Sequence, residues 1–294
     1  MKLAINRRPV EGPWGGGNKF VKAVYDTAPS GVDVTDKLSD DVDIILLIDP
    51  RREGSFDATD AFRFAFSRKV QVIQRINECD ARKGTEHMDS LLLQCSTYNT
   101  KTIFVSEWMK NYFASKGWAC KNQFTLVNGV DECFFGMPKT ESADGKIRVV
   151  THHWSNNVMK GFDAYDFIDY LSVKNSRIAF TYVGRERGSF TNCRIVPPLY
   201  GKQLAEELSR HDVYISGSRS DPGPNHILEA IAVGLSTYVH AEGGGAVEFA
   251  GRDFSYRNFH ELEKILLQAS HAKNAMFIPH WAEAMEKFWS IVTK

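Results

Sequence analysis

ISGSRSDPGPNHILEAIAVG, residues 215–234, reads as three pieces of local structure in succession. An apolar run at 212–216 has the composition of a buried strand and ends at Ser216. A loop of small and turn-forming residues follows, and a helix is predicted from near Asn225, with Glu229 one turn inside it. A strand end, a tight loop and a helix N-terminus expose backbone N–H groups and a positive dipole end, which suits a phosphate. Glu229 would sit beside that point with two acceptor oxygens, a fitting partner for ribose hydroxyls. The competing reading is a solvated glutamate on an ordinary amphipathic helix.

The same alternation extends in both directions. Before this stretch, short β-branched runs at 2–6, 42–49, 69–76, 102–106 and 124–127 predict strands, with helices predicted at 19–27, 57–66, 87–96 and 107–116. Thr85 and Ser106 are the expected N-caps of the last two helices. A polar stretch at 138–146, PKTESADGK, then breaks the pattern and reads as a linker. Beyond it, strands are predicted at 147–151, 177–183, 212–216 and 237–240, and helices at 161–171, 202–209, 226–233 and 260–269. Apolar strands alternating with helices imply parallel sheets covered on both faces. The expected fold class is therefore α/β, with two Rossmann-like lobes at 1–140 and 146–275. Residues 281–292 place Trp281, Met285, Phe288, Trp289 and Val292 on one apolar stripe. That helix needs a surface to cover, and residues 276–294 are expected to cross back onto the first lobe.

Composition narrows the function classes. Lys plus Arg and Asp plus Glu both number 36, in even balance on either side of residue 140, so no basic stripe marks a nucleic-acid partner. The five cysteines (79, 95, 120, 133 and 193) are odd in number and lack CxxC spacing. They suit a reducing compartment rather than a disulfide framework or a zinc site. The N-terminus places charge within eight residues, unlike a signal peptide, and the longest apolar run, 44–48, is far too short to span a bilayer. These features together predict a cytoplasmic protein with no transmembrane segment, peripheral membrane contact remaining open.

Asp221 and Glu229 are separated by seven residues, and the second is followed by AIAVG. This resembles the donor site of the large retaining glycosyltransferase family of GT-B fold, often numbered family four or group 1. The resemblance implies two lobes facing across a cleft, with the donor held mainly by the second. Glu229 would hold the ribose, while Gly223, Asn225 and His226 would surround the donor phosphates. Departures are an aspartate in place of the usual first glutamate, and Pro222 and Pro224 flanking Gly223; Pro224 has no N–H to offer. Further segments fall in the family's order: LVNGVD at 126–131 with Phe134, TYVG at 181–184, and GGGAVE at 243–248, which faces the donor in the family and makes Glu248 an acceptor-side candidate. The Lys160-Gly161 turn resembles the one whose lysine meets the diphosphate. An ammonium beside a helix N-terminus fits that role if an anion is shared, although a plain surface lysine is the alternative. The arginine commonly found just before that lysine is absent; His152, His153 and Trp154 precede it instead. Arg185, Arg187 and Arg219 are the candidates to assist it. His152 and His153, as consecutive strand residues, should point to opposite faces and share no metal.

In the first lobe, Gly12–Asn18 contains Gly15 and Gly17 but has Phe20 where a dinucleotide motif needs its third glycine. The glycine turn of glycosyltransferases fits better, with Gly16 and Gly17 approaching donor phosphate. RINECDARK at 75–83 leaves a buried strand at its carboxyl end, making Asn77, Glu78, Asp80 and Arg82 acceptor-side candidates. A solvated loop with internal ion pairs is the competing reading.

The resemblance implies transfer of a glycosyl group from a nucleoside-diphosphate sugar to a glycan or other hydroxyl acceptor, with retention. Lys160, Asp221 and Glu229 would be the catalytic residues. No Asp-x-Asp motif is present, so neither metal nor other cofactor is expected. The rivals are a catalytically silent nucleotide-sugar-binding protein of the same fold, a nucleotide-sugar epimerase and a phosphorylase.

Overall fold

The computed structural model describes the whole chain apart from residues 13–14, 53, 139–143, 186–189, 269–271 and 294. Arg187, most of the expected linker and the predicted end of the helix at 260–269 lie outside the described residues. The chain forms two compact units, Met1–Gly129 with Trp281–Lys294, and Val130–His280. Each is an α/β lobe built on a six-stranded, wholly parallel sheet.

The first lobe runs β1 (Lys2–Ile5), α1 (Gly16–Asp26), β2 (Asp33–Thr35), β3 (Ile44–Leu47), α2 (Ala58–Arg68) and β4 (Gln71–Ile76). It continues with α3 (Asp80–Lys83), α4 (Met88–Ser96), β5 (Lys101–Phe104), α5 (Glu107–Ala114) and β6 (Gln123–Thr125). The strand order is β2-β1-β3-β4-β5-β6. Successive strand residues enter different cores, as their alternation requires. Leu3, Ile5, Ile44 and Leu46 pack on one side with Phe20 and Val24 of α1. Ala4, Ile45 and Leu47 pack on the other with Ala61 and Ala65 of α2. Both faces are covered, which is why these strands are apolar throughout.

The second lobe runs β7 (Ile147–His153), α6 (Phe162–Lys174), β8 (Ile178–Gly184), β9 (Arg194–Val196), α7 (Gly201–Leu208) and β10 (Val213–Ser216). Then come α8 (Asn225–Val233), β11 (Ser236–His240), α9 (Gly245–Ala250), β12 (Ser255–Tyr256) and α10 (Phe259–Leu266). Its order is β12-β11-β10-β7-β8-β9. In each sheet the chain winds outward from one strand and then reverses. The reversals fall between β1 and β3 and between β7 and β10, the places where open α/β sheets bind ligands at their strand ends.

The final helix, α11 (Trp281–Val292), belongs to the first compact unit. Its Met285, Phe288, Trp289, Ile291 and Val292 join the core of Leu3, Phe20 and Leu46. Phe288 meets Phe20 edge-on at 5.2 Å, and the Trp289 indole N–H donates to Thr27 Oγ1 at 3.2 Å.

Three details differ from the sequence reading. Ser106 caps α5 by accepting from the Met109 N–H at 3.0 Å, but Thr85 caps nothing. Asp80 supplies the α4 cap instead, accepting from the N–H groups of Met88 and Asp89 at 2.9 Å each, while Thr85 donates to it. A carboxylate with two oxygens satisfies two orphan helix donors at once, which a hydroxyl does not. The glycine-rich segment at 243–248 is also more than a turn, since its second half starts α9. Finally, β2, β9, β12 and the four-residue α3 were not anticipated, being too short to display a period.

Phe288→Ala is expected to destabilise the first lobe by about 3–5 kcal/mol, as truncation of a buried aromatic does. Urea unfolding followed by tryptophan fluorescence checks this, and deletion of the chain from Trp281 onward should leave insoluble protein.

Candidate functional site

The reversal between β7 and β10 brings together several charged and imidazole side chains of the second lobe. At the carboxyl end of β7, His152 and His153 diverge as expected. The His152 Nε2 lies 2.9 Å from Glu229 Oε2. His153 Nε2 instead faces the Tyr165 hydroxyl and lies 3.1 Å from Thr151 Oγ1. At the end of β10, Ser216 Oγ lies 3.2 Å from His226 Nε2. The rings of His153 and His226 stand 5.0 Å apart, with Tyr165 and Tyr214 fully buried among them. Burial raises the Tyr165 phenol to about 12, so it acts as a neutral hydrogen-bonding group. Among the described residues no cluster of three or more His, Cys, Asp or Glu side chains is arranged to hold a metal ion.

The loop from Gly217 to Pro224 is held by backbone bonds to two neighbouring turns. Arg219 N–H donates to Met159 O at 2.8 Å, Asp221 N–H to Gly243 O at 3.0 Å, and Gly245 N–H to Asp221 O at 2.8 Å. Gly161 has φ of +73°, and a Cβ there would fall 2.0 Å from the Gly217 carbonyl oxygen. A Cβ on Gly245 would fall 2.5 Å from Pro222 O. Only glycine fits at these crossings. Ser220 takes a left-handed conformation, φ 49°, to deliver Asp221 inward.

A buried ion pair and a buried imidazole–carboxylate contact result. Lys160 Nζ lies 3.0 Å from Asp221 Oδ2, and His152 faces Glu229; all four side chains are about nine-tenths buried. The third partner of this arrangement is the N-terminus of α8. Its N-cap is Pro224, without a side-chain cap, and its first turn carries no acidic residue. A helix start carries the positive end of the backbone dipole and favours an anion. Asn225 and His226 form that first turn, and Gly223 lies immediately before it. Lys160, Asp221, Glu229, Gly223, Asn225 and His226 are thus gathered at one end of one sheet.

The arginines behave differently from one another. Arg219 is committed to Asp163 through two hydrogen bonds of 3.1 and 2.7 Å, which hold the Asp163 carboxyl below its ordinary range. Arg185 lies exposed over the Trp154 ring, 4.0 Å from its centroid. Glu248 is exposed in the first turn of α9. His152 and Ser216 were not singled out as contributors by the sequence; the one available signal was a polar residue ending each of two buried strands.

The first lobe has its own cavity at the reversal between β1 and β3, about 390 Å³, lined in part by Gly17, Asn77 and Glu78. A Cβ on Gly17 would stand 3.2 Å from the Asn77 side-chain nitrogen. Glu78 pairs with Lys83 at 3.4 Å, Asp80 caps α4, and Arg82 sits on α3. Gly16 opens α1 and Gly17 follows it. Asn6, missed by the sequence reading, ties the ends of β1 and β3 together, donating to Asp49 O at 2.6 Å and accepting from Ile48 N–H at 2.9 Å.

No family model matches the sequence, and no curated protein does. Solved structures match in fold. HepE from Anabaena, solved in complex with UDP and glucose, aligns with a TM-score of 0.74 at 13% identity, over 100% of this chain and 99% of its own. Sucrose-phosphate synthase from Thermosynechococcus elongatus aligns at 0.68 and 12% identity, over 100% of this chain and 98% of its own. TarM of S. aureus aligns at 0.63 and 12% identity, over 87% of this chain and 55% of its own. The chain shares with these proteins the two-lobe GT-B fold.

The buried Lys160–Asp221 pair gives a stability test independent of any ligand. Lys160→Met should cost about 3–5 kcal/mol, because it strips the ammonium from a buried carboxylate. Adding Asp221→Leu should recover most of that loss, and urea unfolding of the two variants measures the coupling.

Proposed function

We propose that this chain is a glycosyltransferase, moving a sugar from a nucleoside-diphosphate sugar to an acceptor hydroxyl with retention and without a metal ion. The observation that carries this reading is the convergence of Lys160, Glu229 and the N-terminus of α8 at the reversal of the second sheet. An ammonium and helix N–H groups are the preorganised cationic environment that a departing diphosphate requires. Glu229 is suited to accept from ribose hydroxyls, and the His152 imidazole at 2.9 Å steadies its carboxylate. Asp221 fixes the ammonium of Lys160 and acts as a positioning residue for it.

Several facts support the wider reading. HepE, of the same fold, was solved with UDP and with UDP-glucose, which makes a uridine diphosphate the first donor class to try. The five cysteines are free thiols, in keeping with a cytoplasmic site of action. Among the described residues no helix is long and apolar enough to cross a membrane.

Chemically, the donor's anomeric carbon–oxygen bond breaks as negative charge grows on the β-phosphate. The acceptor hydroxyl forms the new bond and gives up its proton to an oxygen of the departing diphosphate. Lys160 and the α8 amides meet the growing charge, and their interaction strengthens toward the transition state. Retention rests on the resemblance carried by the Asp221–Glu229 spacing.

Calorimetry with UDP and uridine separates the two main roles. Glu229→Ala should weaken both ligands about 10- to 150-fold, the worth of charge-assisted hydrogen bonds of about 1.5–3 kcal/mol. Lys160→Ala should weaken UDP while leaving uridine within about twofold, and it should lower kcat by more than the loss in binding. Two variants that bind UDP like the parent would remove the donor site from this lobe. Full activity should also survive excess chelator; activity lost in chelator and restored by manganese would contradict a metal-free mechanism.

A further inference from the structure

The cavity of the first lobe contains a charge that the proposed donor chemistry does not use. Arg75, the next-to-last residue of β4, is 1% exposed. Its guanidinium lies over the Phe20 ring, 4.1 Å from the centroid, and donates through Nη2 to Asn128 Oδ1 at 2.7 Å. Nε and Nη1 are both buried and have no hydrogen-bond partner among the described residues. Burial lowers its pKa to about 9, and no carboxylate acts on it. A guanidinium this deep is costly to hold without an anion, and an aromatic face offsets only part of that cost.

The surroundings point the same way. Arg7, Arg8, Arg51 and Lys83 line the same cavity as Arg75, against two carboxylates, Asp49 and Glu78. Asp49 is shared by Arg7 at 3.0 Å and Arg51 at 2.7 Å. Burial alone would raise the Asp49 carboxyl, but the two arginines hold it below its ordinary range. Glu78 is likewise shared, with Lys83 at 3.4 Å and Arg51 at 3.9 Å. Arg8 is neutralised by Asp36, which lies outside the lining. The cavity sits at the start of α1, whose first turn carries no acid and whose N-cap, Gly15, has no side chain to cap it.

We infer that this cavity binds an oxyanion, a phosphate or carboxylate group carried by the acceptor, with Arg75 as its buried contact and Arg51 at its mouth. The inference rests on the glycosyltransferase reading for the word acceptor, not for the anion. It names the acceptor class: a sugar or polyol bearing a negative group is selected over its neutral counterpart. Arginine suits such a group through its fork of parallel donors.

The test is calorimetry on the full chain with inorganic phosphate, glucose 6-phosphate, glucose and UDP. The parent should bind glucose 6-phosphate at least tenfold more tightly than glucose, with inorganic phosphate competing. Arg75→Gln should weaken glucose 6-phosphate and inorganic phosphate at least tenfold while changing UDP less than twofold. Arg51→Ala, at a half-exposed position, should do the same in milder form, and it serves alone if Arg75→Gln does not fold. Equal binding of glucose and glucose 6-phosphate by the parent, with no phosphate binding, overturns the inference. Parallel loss of UDP and phosphate in the arginine variants assigns the anion to the donor's diphosphate and overturns the acceptor assignment. Lys160→Ala keeps the two readings apart: UDP binding unchanged in that variant defeats the donor site alone, whereas phosphate binding answers for the cavity.

Discussion

Gly161 and Gly217 meet backbone to backbone with no room for a side chain on either. A Cβ on the first would lie 2.0 Å from the carbonyl oxygen of the second, and a Cβ on the second 2.4 Å from the Gly161 oxygen. The chemistry of the second lobe depends on that contact. Lys160 precedes one glycine and the loop to Asp221 follows the other, so closing the two turns together is what brings ammonium and carboxylate to 3.0 Å. The same economy recurs where Gly245 admits the Asp221–Pro222 backbone. Glycine here is required by space as well as by φ.

The two lobes solve one physical problem in parallel ways. A parallel sheet brings all its strand carboxyl ends, and the helix N-termini that follow them, to one edge. Each lobe then places a buried cation, Lys160 or Arg75, at the point where strand order reverses. In the second lobe Lys160 is matched by Asp221 at 3.0 Å, and the His152 imidazole lies 2.9 Å from the Glu229 carboxylate. In the first lobe Arg75 keeps two donors without a hydrogen-bond partner among the described residues and leans on Phe20 instead. On the proposed reading the first arrangement receives a ligand with both an anionic and a hydroxyl-rich part, and the second a plain oxyanion.

Much of this was legible from residue spacing. The parallel α/β lobes followed from apolar strands that cannot be half-exposed, and the Asp221–Glu229 spacing pointed to the sheet end where the structure gathers Lys160, His152 and the start of α8, because loop and helix start are contiguous in the chain. The partners of those residues were not legible. His152 and Glu229 are 77 positions apart, and nothing local distinguishes a histidine that supports a carboxylate from one that fills space. Arg75 was visible only as the start of a polar segment, since an arginine in a strand reads as solvent-facing; its burial follows from α1 laying Phe20 across it. Thr85 looked like a cap because hydroxyls commonly serve as one, and it was displaced by a carboxylate five residues earlier that local spacing does not reveal.

The central claim is that the reversal between β7 and β10 is the nucleotide-sugar site. A crystal structure of the protein with UDP tests it most directly. The account predicts the β-phosphate within hydrogen-bond reach of Lys160 and the first amides of α8, with the ribose hydroxyls on Glu229. A nucleotide lying away from all three, or one bound only through the first lobe's arginines, would contradict it.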